Sequence, residues 1–234
     1  MTSHVAVAHY PEGAGHATRM MGVARALQAR GATVTLAGGG PGTRFYDANG
    51  FGAFEPTRVD YVRDFQHAGG PVRGLGQVVT SSLPDSGRRL RDVAGWLREE
   101  DPDAVVTDDM FAAGAAVRTG TPLYVLTHNA ASFYRSLVVR VASRGLNLGQ
   151  RLAARRFFYP TVWPPHAGDP PQVSRVPPVA LDPPPGAADA GPENPGVVVV
   201  PSAYSDAFGG VVDRLRDAGR TVTHVGDPDW EAVP

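Results

Sequence analysis

Cysteine, lysine and isoleucine are missing from all 234 residues of the chain. Without cysteine there is no disulfide, no thiolate nucleophile and no thiolate metal ligand, which fits a reducing compartment. Without lysine there is no triphosphate-binding P-loop, because the lysine of that motif is what reaches the phosphates. The joint lack of lysine and isoleucine points to a GC-rich coding sequence. An excess of either charge is lacking too. The formal net charge is -1, which gives no reason to expect nucleic acid as a partner. No apolar run approaches the roughly 18 residues of a membrane span, and the amino terminus lacks the basic start and apolar core of a secretory leader. These absences predict a soluble, cytoplasmic protein. No internal repeat emerges. What the chain does have is 42% hydrophobic residues, enough for a sizeable core in one large domain or two small ones.

The rest is organised around residues 4–31. An apolar strand over residues 5–8 runs into the glycine-interrupted turn Glu12-Gly13-Ala14-Gly15-His16. Met20, Val23, Ala24 and Leu27 then recur at helical spacing, and Gly31 closes the helix. Strand, glycine turn and helix form the first unit of a doubly wound α/β fold, in which ligands bind beyond the carboxyl end of the strand. Gly13 and Gly15 let the backbone turn and approach a ligand closely, and a helix amino end favours an anion. The dinucleotide fingerprint fails on two counts. Thr18 stands where its third glycine belongs, and the second strand ends in Leu36-Ala37-Gly38-Gly39 without an acidic residue.

Gly13-x-Gly15-His16-x-x-Arg19, followed by Val23-Ala24-Arg25-Ala26-Leu27-x-x-Arg30-Gly31 and a strand, resembles the opening of GT-B glycosyltransferases. The likeness is to the bacterial and archaeal group with a G-x-G-H-x-x-R signature, related more distantly to the MurG-like and UDP-glycosyltransferase families. It implies a Rossmann-like acceptor-binding domain followed by a domain for a nucleotide-diphosphate sugar. It also implies inverting transfer without a metal, and no cofactor beyond the donor substrate. In UDP-glycosyltransferases the histidine of this turn acts as base, assisted by an aspartate at the end of a later strand.

Further along, residues 33–37 alternate as a second strand, residues 38–42 form a glycine-rich loop, residues 44–49 a short helix, and residues 51–54 a weak third strand. From Arg58 to Ser82 the pattern is irregular. In the resembled enzymes that region helps to enclose the acceptor. A helix over residues 85–100, a buried strand over 104–107, a helix over 111–119 and a strand over 122–127 follow, and this alternation predicts a parallel sheet. Right-handed crossovers then bring the strand ends to one edge. His16, Asp108 or Asp109, and His128 with Asn129 each follow a different strand at its carboxyl end. A neutral imidazole can take a proton from an attacking hydroxyl, and a carboxylate beside it can fix the tautomer and stabilise the imidazolium. His16 with Asp108 is the leading pair. Asp109 is nearly as good, and either aspartate could instead cap the next helix. Arg19, one turn along the first helix, could hold an anionic acceptor.

No acidic residue lies between Asp109 and Asp169, while Arg118, Arg135, Arg140, Arg144, Arg151, Arg155 and Arg156 accumulate among apolar and aromatic residues. One reading is an amphipathic helix with a solvated basic face. The other is an anionic membrane surface gripped through Arg151, Arg155 and Arg156, at the inner face of the membrane, which suits a lipid-linked acceptor. Residues 161–195 are rich in proline and are expected to be an interdomain linker. Residues 196–234 read as the first β-α-β of a second domain, too short for a core of its own. Ser202 and Ser205 are its candidate phosphate-facing residues. The expected layout is an acceptor domain over residues 1–160, the linker, and an incomplete donor domain, with the remainder beyond Pro234 or on another chain. The alternatives are a noncatalytic acceptor-binding or membrane-recruiting subunit that pairs with a separate donor-binding chain, and a nucleotide-sugar epimerase of the same fold.

Overall fold

The computed structural model describes residues 2–11, 14–59, 82–127, 137–179, 197–199 and 209–224. The chain divides into two compact units, Met1–Leu181 and Asp182–Pro234. In the first, six strands form one sheet: β1 (His4–Ala8), β2 (Thr33–Ala37), β3 (Ala104–Thr107), β4 (Leu123–Leu126), β5 (Arg156–Pro160) and β6 (Val173–Val176). Their order is β2-β1-β3-β4-β5-β6, and every neighbouring pair is parallel. The helices are α1 (Ala14–Gln28), α2 (Pro41–Ala48), α3 (Leu83–Glu100), α4 (Met110–Thr119) and α5 (Leu137–Ala153). Among the described residues no helix is long and apolar enough to cross a membrane.

A parallel sheet buries both faces of its inner strands, which is why β1, β3 and β4 are built mainly of valine, alanine and leucine instead of alternating with polar residues. On one face Ala17, Met20, Met21 and Ala24 of α1 pack over Val5, Val7 and Leu36, with Tyr46 of α2 beside them. On the other, Val93 and Leu97 of α3 and Ala112, Ala115 and Ala116 of α4 cover Ala6, Ala8, Val105 and Val125. The alanines of α4 let that helix sit close to the sheet. Met20 and Met21 are fully buried, a burial that contributes about 1.5–3 kcal/mol for each such side chain. The helices end where the glycines allow: Gly31 (φ 85°) and Gly120 (φ 76°) adopt the left-handed conformation just beyond α1 and α4.

The parallel sheet and its α/β alternation match the expectation, and three local expectations change. Residues 51–54 form no strand. Phe54 makes one isolated bridge to Ala37, with its N–H donating to the Leu36 carbonyl at 2.8 Å. The basic stretch is not one helix either. It breaks after Ala153, and the aromatics Phe157, Phe158 and Tyr159 belong to β5. The first unit also continues past residue 160 to Leu181. Within the expected linker, β6 pairs with β5 from Phe157↔Val173 to Pro160↔Val176. Pro170-Pro171 and Pro177-Pro178 flank β6 without interrupting it, which is tolerated because β6 is an edge strand.

In the second unit β7 (Val197–Val199) and β8 (Val222–His224) pair in parallel across helix α6 (Gly209–Asp217). This is the β-α-β arrangement read from the sequence.

Candidate active site

The parallel register does the positioning. Ala8 of β1 lies opposite Thr107 of β3, so the residues that leave the two strands travel side by side. The backbone N–H of Tyr10 donates to Asp108 Oδ1 at 2.9 Å. The other oxygen, Oδ2, accepts from Nδ1 of His16 at 2.8 Å, across 92 positions of sequence. A carboxylate only accepts, so this contact places the imidazole proton on Nδ1 and the lone pair on Nε2. The Asp108 side chain is 1% exposed and that of His16 27% exposed. The carboxylate is therefore dry while the imidazole is reachable, a geometry suited to proton abstraction by Nε2. The Tyr10 ring meets the imidazole edge-on at 5.6 Å between centroids.

Arg19 reaches the same carboxylate, with Nη1 3.6 Å from Asp108 Oδ2 and a side chain 12% exposed. The sequence suggested an acceptor's anion as its partner; the structure pairs it with Asp108. Gly15 lies inside the first turn of α1, and a Cβ added there would meet nothing within 4 Å. The fold itself therefore does not demand a glycine at this position. Gly13, His128, Asn129, Ser202 and Ser205 lie outside the described residues.

Asp109 is not a second partner for His16. Its Oδ1 caps α4 by accepting the Phe111 N–H at 2.8 Å, and its Oδ2 accepts from Arg89 Nη2 at 2.7 Å and Nε at 3.1 Å. Both side chains of that ion pair are 1% exposed. Burial pushes the Asp109 carboxyl up, and the adjoining guanidinium opposes the shift. Backbone direction decides between the neighbours. Asp109 has the extended conformation of an N-cap and turns its side chain back toward α3 and α4.

Two further side chains shape the site and carry no motif. His9, fully buried at the end of β1, donates from Nδ1 to the Tyr10 carbonyl at 2.8 Å and accepts the Gly39 N–H on Nε2 at 3.4 Å. Burial lowers its pKa, against the pull of the Tyr10 carbonyl, so it is held as a neutral imidazole. Its ring fills the space where a Cβ on Gly38 would stand, 1.8 Å from Nε2. Arg89 also donates from Nη1 to the Thr57 carbonyl at 3.1 Å. It ties α3 to the loop after Phe54 as well as to the β3–α4 turn. The sequence signal for His9 is its place one residue beyond an apolar strand and facing a glycine run. For Arg89 it is an arginine on the apolar side of α3.

The glycosyl transferase 4-like domain matches residues 14–168. No curated protein matches the chain. Solved structures share its fold, among them the following three. MurG of Acinetobacter baumannii aligns with a TM-score of 0.56 at 14% identity over 95% of this chain and 60% of its own. The glycosyltransferase SsfS6 of Streptomyces sp. SF2575 gives 0.59 at 15% over 99% of this chain and 70% of its own. LpCGTa, solved in complex with UDP, gives 0.56 at 17% over 95% of this chain and 65% of its own. The chain thus spans 60% to 70% of the length of these structures. It belongs to the glycosyl transferase 4-like domain family, and its first unit has the Rossmann-like fold of a GT-B amino-terminal domain.

Proposed function

We propose that this chain provides the acceptor-side half of a glycosyltransferase, with His16 as the general base. Nε2 of His16 takes the proton of the acceptor hydroxyl as that oxygen attacks the anomeric carbon of a nucleotide-diphosphate sugar. The bond from that carbon to the diphosphate oxygen breaks, and the nucleoside diphosphate leaves with the electron pair. A single displacement of this kind inverts the anomeric configuration. The imidazolium formed is stabilised by Asp108, whose charge is also balanced by Arg19. The observation that carries the reading is the 2.8 Å contact between a reachable imidazole and a dry carboxylate at the carboxyl edge of the sheet. Family membership and the UDP complex of LpCGTa support the reaction class and the donor type. Gly13, Gly15, His128 and Asn129 are read as the acceptor's surroundings, and Ser202 and Ser205 as donor contacts.

The test uses an active form of the protein supplied with UDP-sugars and an acceptor hydroxyl. His16→Ala is expected to lower kcat by about 100-fold or more while the acceptor KM stays near wild type. Wild-type turnover would refute the base assignment. Epimerised nucleotide sugar without transfer would refute the reaction class.

A further inference from the structure

A helix packed on a sheet ordinarily turns its apolar side inward and its polar side to water. Helix α5 departs from that rule over residues 141–152. Gln150 is buried and Asn147 half-buried, whereas Val141, Leu148 and Leu152 are 58%, 47% and 74% exposed. These three lie seven and four residues apart, so at 3.6 residues per turn they form one outward row. Arg144 and Arg151 border the row on one side. Beyond Leu152 lies a groove of about 420 Å³, lined by Val117, Pro122, Ala153 and Arg155 among others. Val117 is itself 58% exposed. The groove lies at the amino ends of β4 and β5, the opposite edge from His16 and Asp108.

The stretch of chain that carries this row has charge of one sign. Residues 110–168 contain no aspartate or glutamate, and Arg118, Arg144 and Arg155 are exposed along them. A second copy of the chain seated on the row would bring the same arginines against each other, since a two-fold contact pairs a surface with itself. A bilayer bearing anionic headgroups has the complementary character: diffuse negative charge at the level of the arginines, and hydrocarbon just beneath for the aliphatic row. We propose that the outward row of α5, with its arginine border, docks the protein on an anionic membrane surface. This differs from the grip expected through Arg151, Arg155 and Arg156 as one helical face. Arg156 begins β5 and donates to the Pro171 carbonyl at 3.4 Å, so the aliphatic row is the centre of the contact. Docked this way, the protein keeps the carboxyl edge of its sheet open. The inference stands apart from the transferase reading, because membrane attachment requires neither donor nor acceptor.

The experiment is cosedimentation of the purified chain with vesicles of phosphatidylcholine, alone or mixed with phosphatidylglycerol. Wild-type protein should bind the mixed vesicles and not the neutral ones, and salt should weaken the binding. Leu148→Gln with Leu152→Gln, both at exposed positions and checked for an unchanged circular dichroism spectrum, should lower the partition coefficient about tenfold or more. Failure of the wild type to bind the anionic vesicles would overturn the proposal, as would a double variant that binds equally well. A concentration-dependent dimer that the same two substitutions abolish would also overturn it, by assigning the row to self-association.

Discussion

Two imidazoles lie within eight residues of each other at the end of β1 and the start of α1, and their surroundings give them opposite chemistry. His16 keeps a path to solvent and a carboxylate on Nδ1, whereas His9 is enclosed and neutral. An unfolded chain protonates this imidazole near pH 6.5, while burial places the folded value lower. Below that pH the unfolded state binds the extra proton, so the stability due to neutral His9 is whole above about 6.5 and drains away as the pH falls. Thermal melts should show Tm dropping between about pH 7 and pH 5. A His9→Gln variant should begin from a lower Tm with a shallower slope, and equal slopes would acquit His9. Glycines make a matched pair at the same scale. Gly38→Ala drives a methyl into the His9 ring, 1.8 Å from Nε2, and should cost about 3 kcal/mol in urea unfolding. Gly15→Ala meets open space and should leave stability equal or up to about 1 kcal/mol higher. If its turnover nonetheless falls, the glycine serves the close approach of a ligand; unchanged turnover would remove that role.

Between elements, the buried Arg89–Asp109 pair fixes the turn that presents Asp108. Thr107 Oγ1 donates to the Ala8 carbonyl at 2.8 Å and accepts the Asp109 N–H at 2.8 Å, which joins the turn to β1. Arg89→Met leaves the Asp109 carboxylate buried without its cation and should cost about 3–5 kcal/mol, most of which the double variant Arg89→Met/Asp109→Leu should restore. A single variant as stable as wild type would show that the pair does not hold the turn. Much of this scale was legible in advance. The strand over residues 104–107 coincides with β3, and α1 and β2 appear where their spacing and closing glycine put them. Position at a strand end was enough to bring His16 and Asp108 together. The sequence did not separate Asp108 from Asp109, because the choice depends on the direction of the backbone at the N-cap and on Arg89, a residue 20 positions upstream on another helix. It did not place β5 and β6 because arginines before Phe157 and prolines around Val173 mimic a helix and a linker. What makes them strands is the existing edge of β4, a long-range contact that local pattern does not encode.

Across the whole molecule, parallel winding is what converts remote sequence into a site. One register, Ala8 against Thr107, sets Tyr10, His16 and Asp108 within hydrogen-bonding reach at the carboxyl edge. Helices α3, α4 and α5 lie in a row over one face of the sheet, and the basic, aliphatic surface of α5 falls away from that edge. The proposed base and the proposed docking row thus lie on separate surfaces, so loss of vesicle binding in the α5 variant should leave turnover on a soluble acceptor unchanged. The imidazole and its carboxylate are the part of this account on which the rest depends, and a double-mutant cycle on kcat/KM tests their partnership most directly. If Asp108 acts through His16, the variant His16→Ala/Asp108→Ala is about as impaired as His16→Ala alone. Losses that multiply, or a His16→Ala variant that turns over like the wild type, would contradict it.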